Sequence, residues 1–202
     1  MMPARTIPPA TRPDLFGPPK IYAETHRLFF ALMPGEATRQ CMHRAAALLQ
    51  QQYPELRARW VNPERFHATL NFLGDYPALP ADVAVQARSA ADSLSASGFA
   101  WNLDYAASFR GRQPPCVLRS IVVPDLLQAL WQDMNKALSQ VALHRHIERQ
   151  FTPHITLAYA RHELPSAVPI TPVTWQLRHF VLIHNVVGQG SYQVLGRWPL
   201  SA

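Results

Sequence analysis

The chain has 202 residues and a formal net charge of +6; 48% of its residues are hydrophobic and 16% charged, with 19 prolines, 8 glycines and 2 cysteines. This length and apolar content suit one compact domain or two small lobes sharing a core, and they exclude global disorder. Two cysteines, Cys41 and Cys116, exclude a disulfide-rich scaffold and a thiolate zinc cluster, no apolar run approaches the ~20 residues of a membrane span, and no secretory signal is legible, so a soluble cytoplasmic protein is expected.

Residues 1–25 contain six prolines and read as an irregular tail. Residues 26–33, a short apolar run stopped by Pro34-Gly35, predict a buried strand. Apolar and alanine positions at helical spacing predict a helix over 36–52, ended by Pro54. After a turn-like stretch, 66–73 alternates cleanly as a strand and is closed by Gly74-Asp75 and Pro77. Residues 81–95 are alanine-rich and helical; 99–109 and 116–123 read as strands around a polar loop at 110–115. From Asp125, an expected N-cap, Leu127, Leu130, Trp131, Met134, Leu138 and Val141 form an amphipathic helix. Strands are expected at 154–160, near 174–186 and near 191–198, with Gly188 and Gly190 in the last turn. Without a regular βαβ alternation or a glycine-rich phosphate loop, the pattern predicts an α+β fold with antiparallel sheets.

The positive charge is almost all arginine, since Lys20 and Lys136 are the only lysines. Guanidinium forks suit phosphate, which fits a polyanionic partner, although a codon bias toward arginine accounts for the composition equally well.

One pattern occurs twice: Phe66-His67-Ala68-Thr69-Leu70-Asn71-Phe72-Leu73-Gly74 and Pro153-His154-Ile155-Thr156-Leu157-Ala158-Tyr159. Both contain His-x-Thr-Leu. Strand alternation puts His and Thr on one face and the apolar neighbours on the other. Phe66, Ala68, Leu70 and Phe72 are thus expected in the core opposite His67, Thr69 and Asn71; Ile155, Leu157 and Tyr159 are expected inward, opposite His154 and Thr156. In a helix the two polar side chains would diverge. Two such strands across a cleft would supply a base to deprotonate water, an acid to protonate a leaving oxygen, and two hydroxyls to hold phosphoryl oxygens. That scheme calls for no metal and no cofactor.

These residues resemble the two-histidine (2H) phosphoesterase superfamily, and within it the RNA 2′,3′-cyclic phosphodiesterases historically named 2′-5′ RNA ligases. The resemblance runs over residues 26–200. It is carried by Arg27-Leu28-Phe29-Phe30-Ala31-Leu32, by the first motif with its lead-in Trp60-Val61-Asn62-Pro63-Glu64-Arg65, by Phe151-Thr152-Pro153-His154-Ile155-Thr156-Leu157-Ala158, and by Trp198-Pro199-Leu200. It implies a single bilobal domain over 26–202, with two antiparallel sheets in pseudo-twofold symmetry around a central groove and helices outside. It also implies opening of a terminal 2′,3′-cyclic phosphate on RNA to a 2′-phosphate, with reversible 2′-5′ joining as the reverse chemistry. His154 would activate water, His67 would protonate the departing 3′ oxygen, and Thr69 and Thr156 would hold the phosphate. RNA ends or cyclic nucleotides are the implied partners; a monomer without membrane association is the expected default. A non-catalytic module binding nucleotides or RNA ends, or a 2H enzyme for another cyclic nucleotide, are the alternatives.

The chain departs from many relatives in two places. Tyr159 stands where they have an arginine, with Arg161 two residues on as its substitute, and Cys116-Val117-Leu118-Arg119 replaces their Arg-Val-Leu-Trp, moving the arginine. Tyr159, Arg161 and Arg119 are therefore candidate substrate contacts, and Arg110 and Arg112, in the polar inter-strand loop, are candidates for contacting phosphates. His144 and His146 have the spacing of a metal pair but read as surface residues. His179 and His184 read as edge or lining residues, and Cys116 as an inert strand residue. The tryptophans read mostly as core, Trp175 being the one outside an apolar run.

Overall fold

A computed structural model describes residues 24–201 of the chain. These form nine strands and three α-helices: β1 His26–Leu32, α1 Glu36–Gln52, β2 Arg59–Trp60, β3 Ala68–Tyr76, α2 Ala81–Asp92, β4 Phe99–Ser108, β5 Pro115–Arg119, α3 Asp125–Gln140, β6 Ile155–Tyr159, β7 Val168–Leu177, β8 His179–Val186 and β9 Gln193–Pro199. The expected proline-rich tail lies almost wholly outside the described residues.

Two antiparallel sheets result, in the orders β3-β1-β8-β9 and β2-β6-β5-β4-β7. In each, the strand that follows a His-x-Thr histidine pairs with a strongly apolar neighbour, β3 with β1 and β6 with β5. The helices cover the outer faces: α2 and α3 pack on each other, α3 on β3, and α1 on β7. Their buried stripes follow the predicted spacing, with Leu127, Leu130, Trp131, Met134 and Leu138 turned inward on α3. One continuous core joins both sheets to the helices, with Phe30, Met42, Leu70, Trp101, Leu157 and Trp175 all fully buried. A small second cluster of Phe29, Ala31, Val181 and Ile183 lies apart from it and is bordered by Tyr192.

Several elements differ from the sequence reading. The run expected as one strand near 174–186 is two strands in different sheets, β7 pairing β4 and β8 pairing β1, with exposed Arg178 between them. β7 also starts earlier, at Val168, and carries Pro169 and Pro172; it is an edge strand, where a missing N–H costs no ladder bond. Trp175, which lies outside any apolar run of the sequence, is 2% exposed and stacks on Trp101. The turn-like stretch holds the two-residue edge strand β2. The N-cap of α3 is Pro124, and Asp125 lies in the first turn, where its charge complements the helix dipole.

The largest local correction concerns the two motifs. Both strands bulge at the leucine after the threonine: Ala31 pairs with Thr69 but Phe30 with Asn71, and Val117 pairs with Thr156 but Cys116 with Ala158. An extra residue reverses the alternation beyond it. Asn71, expected opposite the core, is therefore fully buried and donates to Asn135 Oδ1 on α3 at 2.7 Å. Phe72 and Tyr159, both expected inward, are turned out, at 37% and 40% exposure.

Candidate active site

Between the sheets, where β3 meets β6, lies an open groove of about 850 Å³. His67, Thr69, His154 and Thr156 all line it, so the fold brings together the two motifs that stand 87 residues apart (154 − 67) in the chain. The apolar partners Ala68, Leu70, Ile155 and Leu157 are buried behind them.

Each histidine sits one residue ahead of its strand and is held by the same local bond. His67 Nδ1 lies 2.8 Å from the carbonyl of Arg65, and His154 Nδ1 lies 2.7 Å from the carbonyl of Thr152. A carbonyl can only accept, so Nδ1 carries the proton in both rings and Nε2 is the nitrogen left for the groove. A short turn over Pro63–Arg65 sets up the first of these, with Asn62 Oδ1 accepting from the Glu64 N–H. Both threonines are half-buried, and neither hydroxyl has a protein hydrogen-bond partner among the described residues.

The electrostatics favour neutral rings. Burial pushes the His67 pKa down to about 4, against the opposing carbonyl bond, with further lowering by His154 and Arg65. The packing supplies the cause: Phe29 is tilted against the His67 ring at 5.2 Å and Tyr192 meets it edge-on at 5.4 Å. His154 is shifted in the same direction by burial, then by the charge of Arg119, the carbonyl bond again opposing. Its ring meets Phe109 edge-on at 4.8 Å. A group that burial keeps neutral can take a proton from water, and an anion between the rings would favour protonating one of them.

The aromatic residues turned out by the bulges complete the symmetry. Arg27 lies over Phe72 at 5.8 Å and Arg59 over Tyr159 at 5.2 Å, and all four line the groove. Arg27 is also held by Asp75 through two bonds of 2.8 and 3.0 Å. On the first motif's side, Arg65 lies 4.6 Å over Tyr192 and donates to the Gln189 carbonyl and to Asn185 Oδ1, tying down the β8–β9 loop that forms one wall.

Of the other sequence candidates, Tyr159 lines the groove, though reversed in direction by the bulge. Arg161 does not; it follows the end of β6, where its N–H bonds the Leu56 carbonyl, and borders a separate hollow. Arg119 stands behind His154, its guanidinium 5.7 Å over both Tyr105 and Phe109. Arg110 and Arg112 are exposed and outside the groove wall. Cys116 is fully buried with its thiol pKa pushed up to about 11, which makes it inert. His144 and His146 flank Arg145 in a short turn after α3, and among the described residues no three His, Cys, Asp or Glu side chains gather as a metal site. His184 is buried and bonded to His26 and Gln193, and His179 pairs with Arg197. Sequence reading missed Arg27, Arg59, Arg65, Phe72, Asn185 and Tyr192 as groove residues. Arg27 alone left a signal, as the polar alternate of buried Leu28 in β1.

The family model described as LigT like Phosphoesterase matches residues 32–118, a span that includes the first motif. E. coli LigT in its apo form matches at 25% identity and TM-score 0.70, over 89% of this chain and 99% of that one. The chain is thus similar to LigT-like phosphoesterases in sequence over its first motif and in fold over most of its length. E. coli LigT complexed with 3′-AMP matches at 26% identity and TM-score 0.71, over 89% of this chain and all (100%) of that one. A Thermus thermophilus protein, TT0787, at 22% identity and TM-score 0.68 over 86% of this chain and 97% of its own, shares the fold. No curated protein matches the sequence. The α+β architecture of two antiparallel sheets expected from the resemblance is the one found.

Proposed function

We propose that the protein hydrolyses terminal 2′,3′-cyclic phosphates on RNA to 2′-phosphates, with His67 and His154 as the acid–base pair. Water attacks phosphorus, His154 Nε2 takes the water proton, the bond from phosphorus to the 3′ oxygen breaks, and His67 Nε2 delivers a proton to that oxygen. The net change is addition of one water across one P–O bond. The Thr69 and Thr156 hydroxyls donate to the phosphoryl oxygens as charge builds on them. With a 5′-hydroxyl end attacking phosphorus in place of water, and the 3′ oxygen leaving as before, the same groups would join RNA through a 2′-5′ linkage.

One observation carries the reading: two imidazoles with the same backbone-set tautomer, each with an unpartnered threonine hydroxyl two residues on, open into one groove. The nucleotide 3′-AMP bound by E. coli LigT supports a nucleotide ligand here. The low proton affinity that burial gives His67 makes its acid role depend on the arriving phosphate, whose negative charge raises that affinity. Two free cysteines fit a reducing, cytoplasmic setting.

The test is product analysis on an oligonucleotide ending in a 2′,3′-cyclic phosphate, with and without EDTA. A 2′-phosphate formed equally in both is expected. A 3′-phosphate would reverse the leaving oxygen and reject the roles given; binding without turnover would support a binding module, and turnover of free cyclic nucleotides alone a different substrate class.

A further inference from the structure

A second hollow, of about 270 Å³, adjoins the groove where β2 begins and β6 ends. Arg57, Arg59 and Arg161 border it, with Gln113 and Tyr159 between them. None of the three arginines is ion-paired with a carboxylate among the described residues. Three like charges around one small hollow repel each other, and an anion seated among them removes that repulsion while accepting planar N–H forks.

The local backbone brings them together. Arg57 ends a short turn in the left-handed region, at φ 45° and ψ 48°, its N–H bonded to the Pro54 carbonyl. The next carbonyl back, that of Leu56, accepts from the Arg161 N–H at 2.9 Å, which pins the two arginine-bearing segments to each other. Arg59 pairs with Tyr159 across the β2–β6 ladder. A non-glycine residue in that backbone region costs energy unless its surroundings hold it there.

We propose that this hollow is a second anion site, which takes a backbone phosphate of an RNA strand whose cyclic end lies in the groove. The proposal rests on the reading of the groove given above. Arg59 and Tyr159 line both spaces, so the path between them is continuous. From His154 through β6 to Tyr159, the five residue steps span roughly 16 Å at the usual strand rise. A mononucleotide held at the histidines does not cover that distance, whereas an oligonucleotide does. Arg161 thus contacts substrate away from the reacting phosphate, and the hollow makes the enzyme prefer RNA ends to free cyclic nucleotides.

The experiment compares the wild type with an Arg57→Asn/Arg161→Gln double variant and with Arg161→Gln alone. Both positions are exposed, and asparagine accepts the left-handed backbone. The substrates are 2′,3′-cyclic AMP and a pentanucleotide ending in a 2′,3′-cyclic phosphate. The double variant should lose about tenfold in kcat/KM on the pentanucleotide, mostly in KM, and stay within about twofold on cyclic AMP. The salt dependence on the pentanucleotide should fall by about 0.7 in log–log slope, one phosphate's share. Equal losses on both substrates, or no loss on either, overturn the inference. A wild type inactive on both rejects the reading of the groove instead. Anisotropy titration with a 2′-phosphate-ended pentanucleotide tests the hollow in that case, and unchanged affinity in the double variant overturns it.

Discussion

The two sides of the groove share their backbone and differ in their surroundings. Each has a histidine bonded through Nδ1 to the carbonyl two residues back, a threonine, a bulge at the following leucine, an outward aromatic and an arginine over its ring. On the first side, Phe29 and Tyr192 enclose His67, and Asp75 restrains Arg27. On the second, one aromatic edge meets His154, with a cation behind it, and Arg59 has no carboxylate partner among the described residues. The histidine–threonine pairs are duplicated by local backbone geometry, while neighbouring side chains give each half its own electrostatic setting.

Breaking the shared part should have the largest effect. His67→Ala and His154→Ala should each lower kcat on a cyclic-phosphate substrate on the order of a thousandfold, with melting curves still cooperative. If one variant keeps most of its activity, the two sides are not equivalent partners in the chemistry. Thr69→Val and Thr156→Val come next. Each should cost about a hundredfold in kcat, the usual loss for a donor to developing charge, and serine at either position should restore most of it. A change confined to KM would instead make the threonines ground-state anchors.

The smallest effect sharpens the contrast between the sides. The His67 pKa is held at about 4 in the folded protein, against about 6.5 in an unfolded chain. Between those values the unfolded chain binds more protons, so stability falls as pH drops through about 6.5 and the loss is complete below about 4. His67→Gln removes that contribution and should flatten this part of a urea-midpoint-against-pH curve. His154→Gln should act in the same direction, since burial lowers its pKa too. An unaltered acid limb in His67→Gln would mean that the ring is not held neutral by its aromatic enclosure.

Much of this was legible in the chain. Repetition of His-x-Thr-Leu, with apolar residues between the polar ones, identifies strands that cannot turn their polar side chains into a core. That periodicity located β1, β3, β6 and the three helices, and the motif pair pointed to the residues that meet in the groove. The arginines around the groove left little trace, because they reach it from β1, β2 and a short turn whose only common feature is where they end up in space. Cys116 and Trp175 show the same limit from the core side: their burial depends on which strands flank them.

What the amino-acid order determined by itself is whatever depends on neighbours a few residues apart, namely strand and helix periods and the carbonyl that sets each imidazole's tautomer. What only the tertiary structure decided is whatever depends on pairing across strands. The bulges that turn Phe72 and Tyr159 outward and Asn71 inward exist because β1 and β5 pair one residue short, and a register is set by the partner strand and the packing of both faces, not by either strand alone.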